Sequence, residues 1–174
     1  MILQLEIPME TVEYIIEQAA DYGIPVVLNP APAKEMSQEI LKKVTYLIVN
    51  ETECEFYTSK KVGTIEEAKE GVRLLKEKGI RHAIVTLGSQ GCVYDMEENV
   101  LYEPARKVVA VDSTAAGDTF TAAIVVSLLE GKSMTEAVQF ATVASSITVT
   151  RLGAQSSIPT RDEVENMKKV VDIK

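Results

Sequence analysis

Short apolar runs alternate with amphipathic stretches through the first 90 residues, and this rhythm most constrains the fold. Residues 1–6, 24–28, 46–49 and 82–87 are the apolar runs. Between the first two, Val12, Ile15, Ile16 and Ala19 recur at helical spacing over residues 10–22, and Gly23 stops the pattern. A short helix is expected at 37–43 and another at 53–57. Thr64 with Glu67 three residues on reads as a capping box, opening a helix that runs to Lys78 and ends at Gly79. The strands are nearly all apolar, as strands covered on two faces must be. The expected fold is therefore α/β, a mostly parallel sheet with helices on both faces.

The second half changes character. Gly88-Ser89-Gln90-Gly91 reads as a turn, followed by a hairpin over 92–95 and 100–102. Residues 107–111 read as the last strand. Helices are expected at 116–130 and 135–150; Gly153 breaks the pattern and Thr160 opens a final helix. With 174 residues, no repeats and no linker, the chain is expected to form a single domain over 1–174.

Composition removes several function classes. Hydrophobic residues make up 46% and charged residues 25%, which excludes disorder and small disulfide scaffolds. No apolar run approaches the roughly 20 residues of a membrane span. The net charge of −8 speaks against a nucleic-acid groove. Cys54 and Cys92 lie far apart with the single histidine, His82, near neither, so no zinc site is expected. The cysteines read as packing residues, His82 as a polar residue opening a strand, and residues 66–70 as a solvated helix face. No leader is visible, and a reducing cytoplasm is the expected setting.

Ligands of open α/β sheets bind beyond the carboxyl ends of the strands. Here that rule selects Glu6, Asn29, Asn50, the stretch Thr86 to Gly91, and Asp112 onward. Polar residues at such ends also cap the next helix, and for each position alone that reading stands. The segment Val111-Asp112-Ser113-Thr114-Ala115-Ala116-Gly117-Asp118-Thr119-Phe120 says more. The small residues Ala115, Ala116 and Gly117 leave backbone N–H groups uncovered at a helix start, where the dipole favours an anion. Asp118 falls in the first turn. A carboxylate there can take a proton from an attacking hydroxyl while the N–H groups hold charge on a phosphoryl group. Alternatively, Asp118 only complements the dipole and the alanines only permit tight packing. Other nucleotide motifs are missing. Gly131-Lys132-Ser133 resembles a Walker A tail, but position 126 is Val and a helix precedes it, so it reads as a helix stop. There is no GxGxxG and no GxSxG.

The segment 111–120 resembles the C-terminal signature of the ribokinase family of carbohydrate kinases. The similarity continues in register through Gln4-Leu5-Glu6, Asn29-Pro30-Ala31-Pro32-Ala33, Asn50-Glu51-Thr52-Glu53, Thr86-Leu87-Gly88-Ser89-Gln90-Gly91 and Thr150-Arg151-Leu152-Gly153-Ala154-Gln155. The resemblance implies ATP-dependent phosphorylation of D-ribose at the 5-hydroxyl, with a related sugar or nucleoside kinase as the near alternative. It implies that Asp118 is the base, that Ala115, Ala116 and Gly117 form the anion hole, and that Glu6 touches the sugar. Asn50, the turn Thr86, Leu87, Gly88, Ser89, Gln90 and Gly91, and Thr142 near the adenine would contact ATP. Glu53 would help organise Mg2+ indirectly. Asp112, Thr114, Thr148, Arg151, Gly153 and Ser157 would surround a monovalent cation, K+, several through backbone carbonyls. Arg151 also admits a purely structural role.

Members of that family are nearly twice as long. The resemblance implies a C-terminal, nucleotide-binding portion without the N-terminal strands, the Gly-Gly-Lys-Gly sugar region and the small β-sheet lid, through which the parent would dimerise. Weak or absent turnover follows as an expectation, because phosphoryl transfer needs both substrates held in line. The partners expected are a small sugar and ATP, with neither nucleic acid nor membrane. An ATP-binding or structural role without turnover is the second expectation.

Overall fold

The computed structural model describes residues 1–171, which fall into two compact units, Met1–Tyr102 and the residues from Glu103 on. The first unit is built on a six-stranded sheet of β1 (Ile2–Leu3), β2 (Val27–Leu28), β3 (Tyr46–Asn50), β4 (His82–Thr86), β5 (Cys92–Met96) and β6 (Asn99–Glu103), side by side in chain order. The first four are parallel, with Ile2 opposite Val27, Val27 opposite Tyr46 and Tyr46 opposite His82. β5 returns antiparallel to β4 with Thr86 opposite Cys92. Leu47, Ile48 and Val49 of β3, and Ala83, Ile84 and Val85 of β4, are all buried. Successive strand residues point to opposite faces, so both faces of these two strands are covered.

The connections carry α1 (Met9–Asp21), α2 (Gln38–Leu41), α3 (Glu51–Thr58) and α4 (Ile65–Glu77). Val12, Ile16 and Ala19 form the buried stripe of α1, at the spacing read from the sequence. Ala68, Gly71, Val72 and Leu75 do the same for α4, and Ala68, Val72 and Leu75 join Leu47, Val49, Ala83 and Val85 in one core. Full burial of an aliphatic side chain of this kind is worth roughly 1.5–3 kcal/mol. At α4, Thr64 Oγ1 accepts from Glu67 N–H at 3.2 Å, but the Glu67 carboxylate accepts at 2.8 Å from Gly63 N–H. The capping box is thus shifted one residue outward on its return side.

Two strands are shorter than the sequence suggests. The apolar run at 1–6 pairs only over β1, because Leu5 N–H donates to Ala31 O at 3.0 Å in the loop beyond β2. In 24–28 only Val27–Leu28 pair, since Pro25 brings no backbone donor.

Behind the N-terminal end of β4 lies a buried carboxylate that sequence reading passed over. Asp95, on β5, accepts from Ala83 N–H at 2.5 Å, from Lys76 Nζ at 3.0 Å, and lies 3.2 Å from His82 Nδ1. His82 in turn stacks on Tyr46, with ring centroids 4.9 Å apart. Burial pushes the Asp95 carboxyl up, but the contacts from His82, Ala83 and Lys76 together outweigh it and hold the group below the usual carboxylate value.

The second unit consists of α5 (Ala116–Leu129), α6 (Met134–Thr148) and α7 (Arg161–Val171). Phe120, Ile124, Ala137, Val138, Ala141 and Val143 are among its buried residues. Gly131, at φ +77°, ends α5, and Ser133 starts α6 in a capping box with Glu136, so the Gly-Lys-Ser tripeptide is a helix stop followed by a cap. Residues 107–111 are not a strand. Val109 is 84% exposed, and Val111 and Asp112 N–H donate to Val149 O at 2.7 and 3.2 Å rather than to a neighbouring strand. Among the described residues, no helix is long and apolar enough to cross a membrane.

Candidate active site

In the first unit, the parallel register sets Asn50 directly opposite Thr86 at the carboxyl ends of β3 and β4. Asn50 also opens α3. Its Oδ1 accepts from Glu53 N–H at 2.9 Å, and Glu53 Oε2 accepts from Asn50 N–H at 2.9 Å. This reciprocal capping box holds the backbone at the strand end. Glu53 is buried there, which pushes its carboxyl above the ordinary value, and the hydrogen bonds with Asn50 offset this only in part. Thr86 Oγ1 donates to Val49 O at 3.3 Å. Beyond Leu87 the chain makes a single 3-10 turn, Gly88–Gln90. Gly88 and Gly91 have φ of +51° and +108°, a backbone that side chains rarely adopt. Leu87 N–H donates to Gly91 O at 2.7 Å, and Tyr102 OH donates to Gln90 O at 2.6 Å. Gly88, Ser89 and Gln90 are exposed at the tip.

At the end of β1, Leu5 is fully buried while Glu6, the next residue, is exposed. Asn29 ties this end to the sheet. Its Nδ2 donates to Ile48 O at 3.0 Å, and its Oδ1 accepts from Gln4 Nε2 at 3.4 Å. Asn50 and Thr86 therefore end parallel strands, and Glu6 and Asn29 lie beyond the carboxyl ends of two others.

In the second unit, Ala115 precedes α5 in the left-handed region at φ +61°. Asp118 lies in the first turn and is exposed. The small-residue turn departs from expectation at one atom: Ala116 N–H donates to Ser113 O at 3.2 Å, which closes the turn entering the helix. Ala115 and Gly117 N–H have no acceptor among the described residues. A Cβ on Gly117 would meet nothing within 4 Å, so the space over this turn is open.

Asp112, expected at a strand end but lying in the loop before α5, organises that loop. Its Oδ1 accepts from Thr114 N–H at 2.9 Å and Thr114 Oγ1 at 2.7 Å, and its Oδ2 accepts from Gly153 N–H at 3.0 Å. The Thr114 side chain first, then the two N–H groups, hold its carboxyl below the usual value. Asp112, Thr114 and Gly153 are thus brought together. Thr148, Arg151 and Ser157 use their side chains elsewhere. Thr148 Oγ1 lies 3.1 Å from Thr119 Oγ1, Ser157 Oγ donates to Ala154 O at 2.6 Å, and Arg151 pairs with Glu163 at 2.5 Å. That pairing, ahead of the bonds from Thr160, takes the Glu163 carboxyl down to about 2. Thr142 is buried in α6, and its Oγ1 has no hydrogen-bond partner among the described residues. Among these residues no group of three or more His, Cys, Asp or Glu gathers as a metal cage.

The profile of pfkB family carbohydrate kinases matches residues 2–161. The chain belongs to this family. It is 41% identical over 163 residues to the ribokinase of Haemophilus influenzae, a match covering 94% of this chain and 53% of the relative. The crystal structure of the Thermotoga maritima ribokinase superposes with a TM-score of 0.87 at 40% identity, over 97% of this chain and 56% of that one. The Arabidopsis thaliana ribokinase complexed with ribose and ATP superposes with a TM-score of 0.90 at 33% identity, over 97% and 55%. The chain spans about half the length of the curated relatives it matches. As a member of the pfkB carbohydrate kinase family it carries the ribokinase-type α/β fold, and the strand-end positions above sit in that fold. Sequence reading missed Lys34 and Tyr57, which brace the Glu6 segment, and Asp95. An acidic residue inside the otherwise apolar run Cys92-Val93-Tyr94-Asp95 was the one available signal.

Proposed function

We propose that the chain serves ATP-dependent phosphorylation of the D-ribose 5-hydroxyl. The observation that carries this is Asp118, exposed in the first turn of α5 behind a left-handed Ala115 and an uncovered Gly117 N–H. Asp118 would accept the proton of the attacking hydroxyl. The N–H groups of Ala115 and Gly117, with the dipole of α5 behind them, would balance charge on the transferring phosphoryl group. Asn50, Thr86 and the turn 87–91 would hold the nucleotide, and the unpartnered Thr142 hydroxyl would serve the adenine. Glu6 would contact the sugar. The whole chain then constitutes one C-terminal kinase domain, working in a cytoplasmic setting in which Cys54 and Cys92 are free thiols.

The residues fit the implied cations. The capping box uses Glu53 Oε2 and leaves Oε1, a suitable indirect partner for Mg2+, which keeps most of its water and binds through phosphate oxygens. Mg2+ supplies charge neutralisation on the phosphates when bound. Asp112 stays ionised and Oδ2 takes only one donor, so K+ could share it with Thr114 and the carbonyls of Thr148, Arg151, Gly153 and Ser157.

Half-length coverage favours a second reading, ATP binding without turnover, since positioning both substrates is what this chemistry needs. The test is ribose-dependent ADP release by the purified chain with Mg-ATP and K+, beside Asp118→Asn. Turnover abolished by the substitution supports the first reading. Calorimetric Mg-ATP binding with no turnover supports the second. Absence of Mg-ATP binding overturns both, and a sugar panel separates ribose from related acceptors.

A further inference from the structure

The residue that places the sugar-side carboxylate is not on its own strand. Glu6 follows the two-residue β1 and makes no ladder bond of its own, so its position depends on Leu5. Both polar groups of Leu5 are held by one short segment. Leu5 N–H donates to Ala31 O at 3.0 Å, and Leu5 O accepts from Lys34 Nζ at 2.6 Å. Lys34 is itself fixed from behind, because Tyr57 OH, on α3, donates to Lys34 O at 2.8 Å.

This use of a lysine is unusual. The chain has 26 acidic residues against 18 basic ones, yet among the described residues Lys34 Nζ pairs with no carboxylate and is spent on a backbone carbonyl. A charged donor on a carbonyl makes a shorter and stronger bond than a neutral one. Lys34 is only half-buried, whereas Leu5 is fully buried and Tyr57 is 8% exposed. Burial pushes the Tyr57 hydroxyl up to about 12, so it remains a donor throughout the working range of pH. The same α3 begins at Asn50, through the capping box with Glu53. Lys34 therefore ties the peptide preceding Glu6 to the helix whose first residues stand at the nucleotide-side strand end.

We infer that Lys34 is a positioning residue for the sugar subsite: its ammonium clamps Leu5 O and its carbonyl is braced by Tyr57, so that Glu6 is presented from a rigid peptide. The inference rests on the reading of Glu6 as the sugar contact. A hydrogen bond from a charged, half-buried donor to the carbonyl of a buried residue corresponds to roughly a tenfold to hundredfold change in a local opening equilibrium.

The test uses the 174-residue chain, with amide hydrogen exchange and 15N-resolved NMR on the wild type, Lys34→Met, Lys34→Arg and Tyr57→Phe. The expected result in Lys34→Met is roughly tenfold or faster exchange at Leu5 and Glu6 with Ile48 and Ile84 unchanged, and recovery in Lys34→Arg. Tyr57→Phe should show the same pattern more weakly. In a ribose titration, the Glu6 amide of the wild type should shift, with an apparent Kd that rises in Lys34→Met and returns in Lys34→Arg. Unchanged exchange at Leu5 and Glu6 in Lys34→Met overturns the clamp. Altered exchange with no ribose response at Glu6 in the wild type overturns the sugar-contact reading instead, and the positioning role with it. Faster exchange throughout the sheet would make Lys34 a general stability residue and also overturn the inference.

Discussion

Replacing Asp95 with alanine should be costly, and the size of the loss can be worked out from its partners. The carboxylate is 3% exposed and joins β5 to two other elements: β4 through Ala83 N–H and His82, and α4 through Lys76. Truncation strands the N–H of Ala83, a residue with no exposed surface, at about 1–3 kcal/mol. Lys76 and His82 are each about a third exposed and regain water, so each loss is held below about 1 kcal/mol. The sum is about 1–5 kcal/mol, or about 2–20 °C in Tm for a chain of this length. Asp95→Asn keeps an acceptor for Ala83 and should cost about half as much. The pH dependence has a definite sign. The folded carboxyl lies below its unfolded value near 3.9, so its contribution is complete above that value and disappears as pH falls through the folded one. The stability gap between wild type and Asp95→Asn should therefore narrow below about pH 4. Urea titrations followed by far-UV circular dichroism at pH 7, 5 and 3.5 measure it, as the chain has no tryptophan. An Asp95→Ala protein within 0.5 kcal/mol of wild type at pH 7, roughly the scatter of neutral surface changes, would refute the reasoning.

Three further outcomes follow from named contacts. Gly71→Ala would put a Cβ 2.6 Å from Cys54 Sγ, so the helix-propensity gain of about 1 kcal/mol should be outweighed by overpacking of about 1–3 kcal/mol between α3 and α4, read as a lower urea midpoint. Asn50→Ala removes the cap of α3 and should cost about 1 kcal/mol; a Kd for Mg-ATP unchanged by calorimetry would reduce Asn50 to that capping role. Cys54 is buried, and burial pushes its thiol up to about 11, so a thiol reagent at pH 8 should label it only under denaturant; prompt native labelling would contradict this.

Much of the first unit was legible in the sequence because its signals are local. The stripe Val12, Ile16 and Ala19, the glycine stops at 23 and 79, and the continuous apolar strands β3 and β4 are each dictated within a few residues. Residues 107–111 misled for the same reason. A continuous valine-rich run suffices to suggest a strand, but a strand exists only where a neighbour supplies the ladder, and here the N–H groups of Val111 and Asp112 turn to Val149 O. The Thr64–Glu67 box shifted because a glutamate can reach either of two adjacent N–H groups, a choice made by the loop before the helix.

By itself the sequence determined the class of fold, the strand ends at which polar residues cluster, and the small-residue turn before Asp118. Period, propensity and glycine conformation act over a single turn or strand and need no distant partner. Tertiary structure decided everything that joins distant segments. It set Asn50 opposite Thr86, gathered Thr114 and Gly153 on Asp112, surrounded Asp95 with Lys76, His82 and Ala83, and brought Lys34 to Leu5. In each case a buried or strand-end polar group must find a partner, and only the folded chain determines which residue, tens of positions away, is within reach.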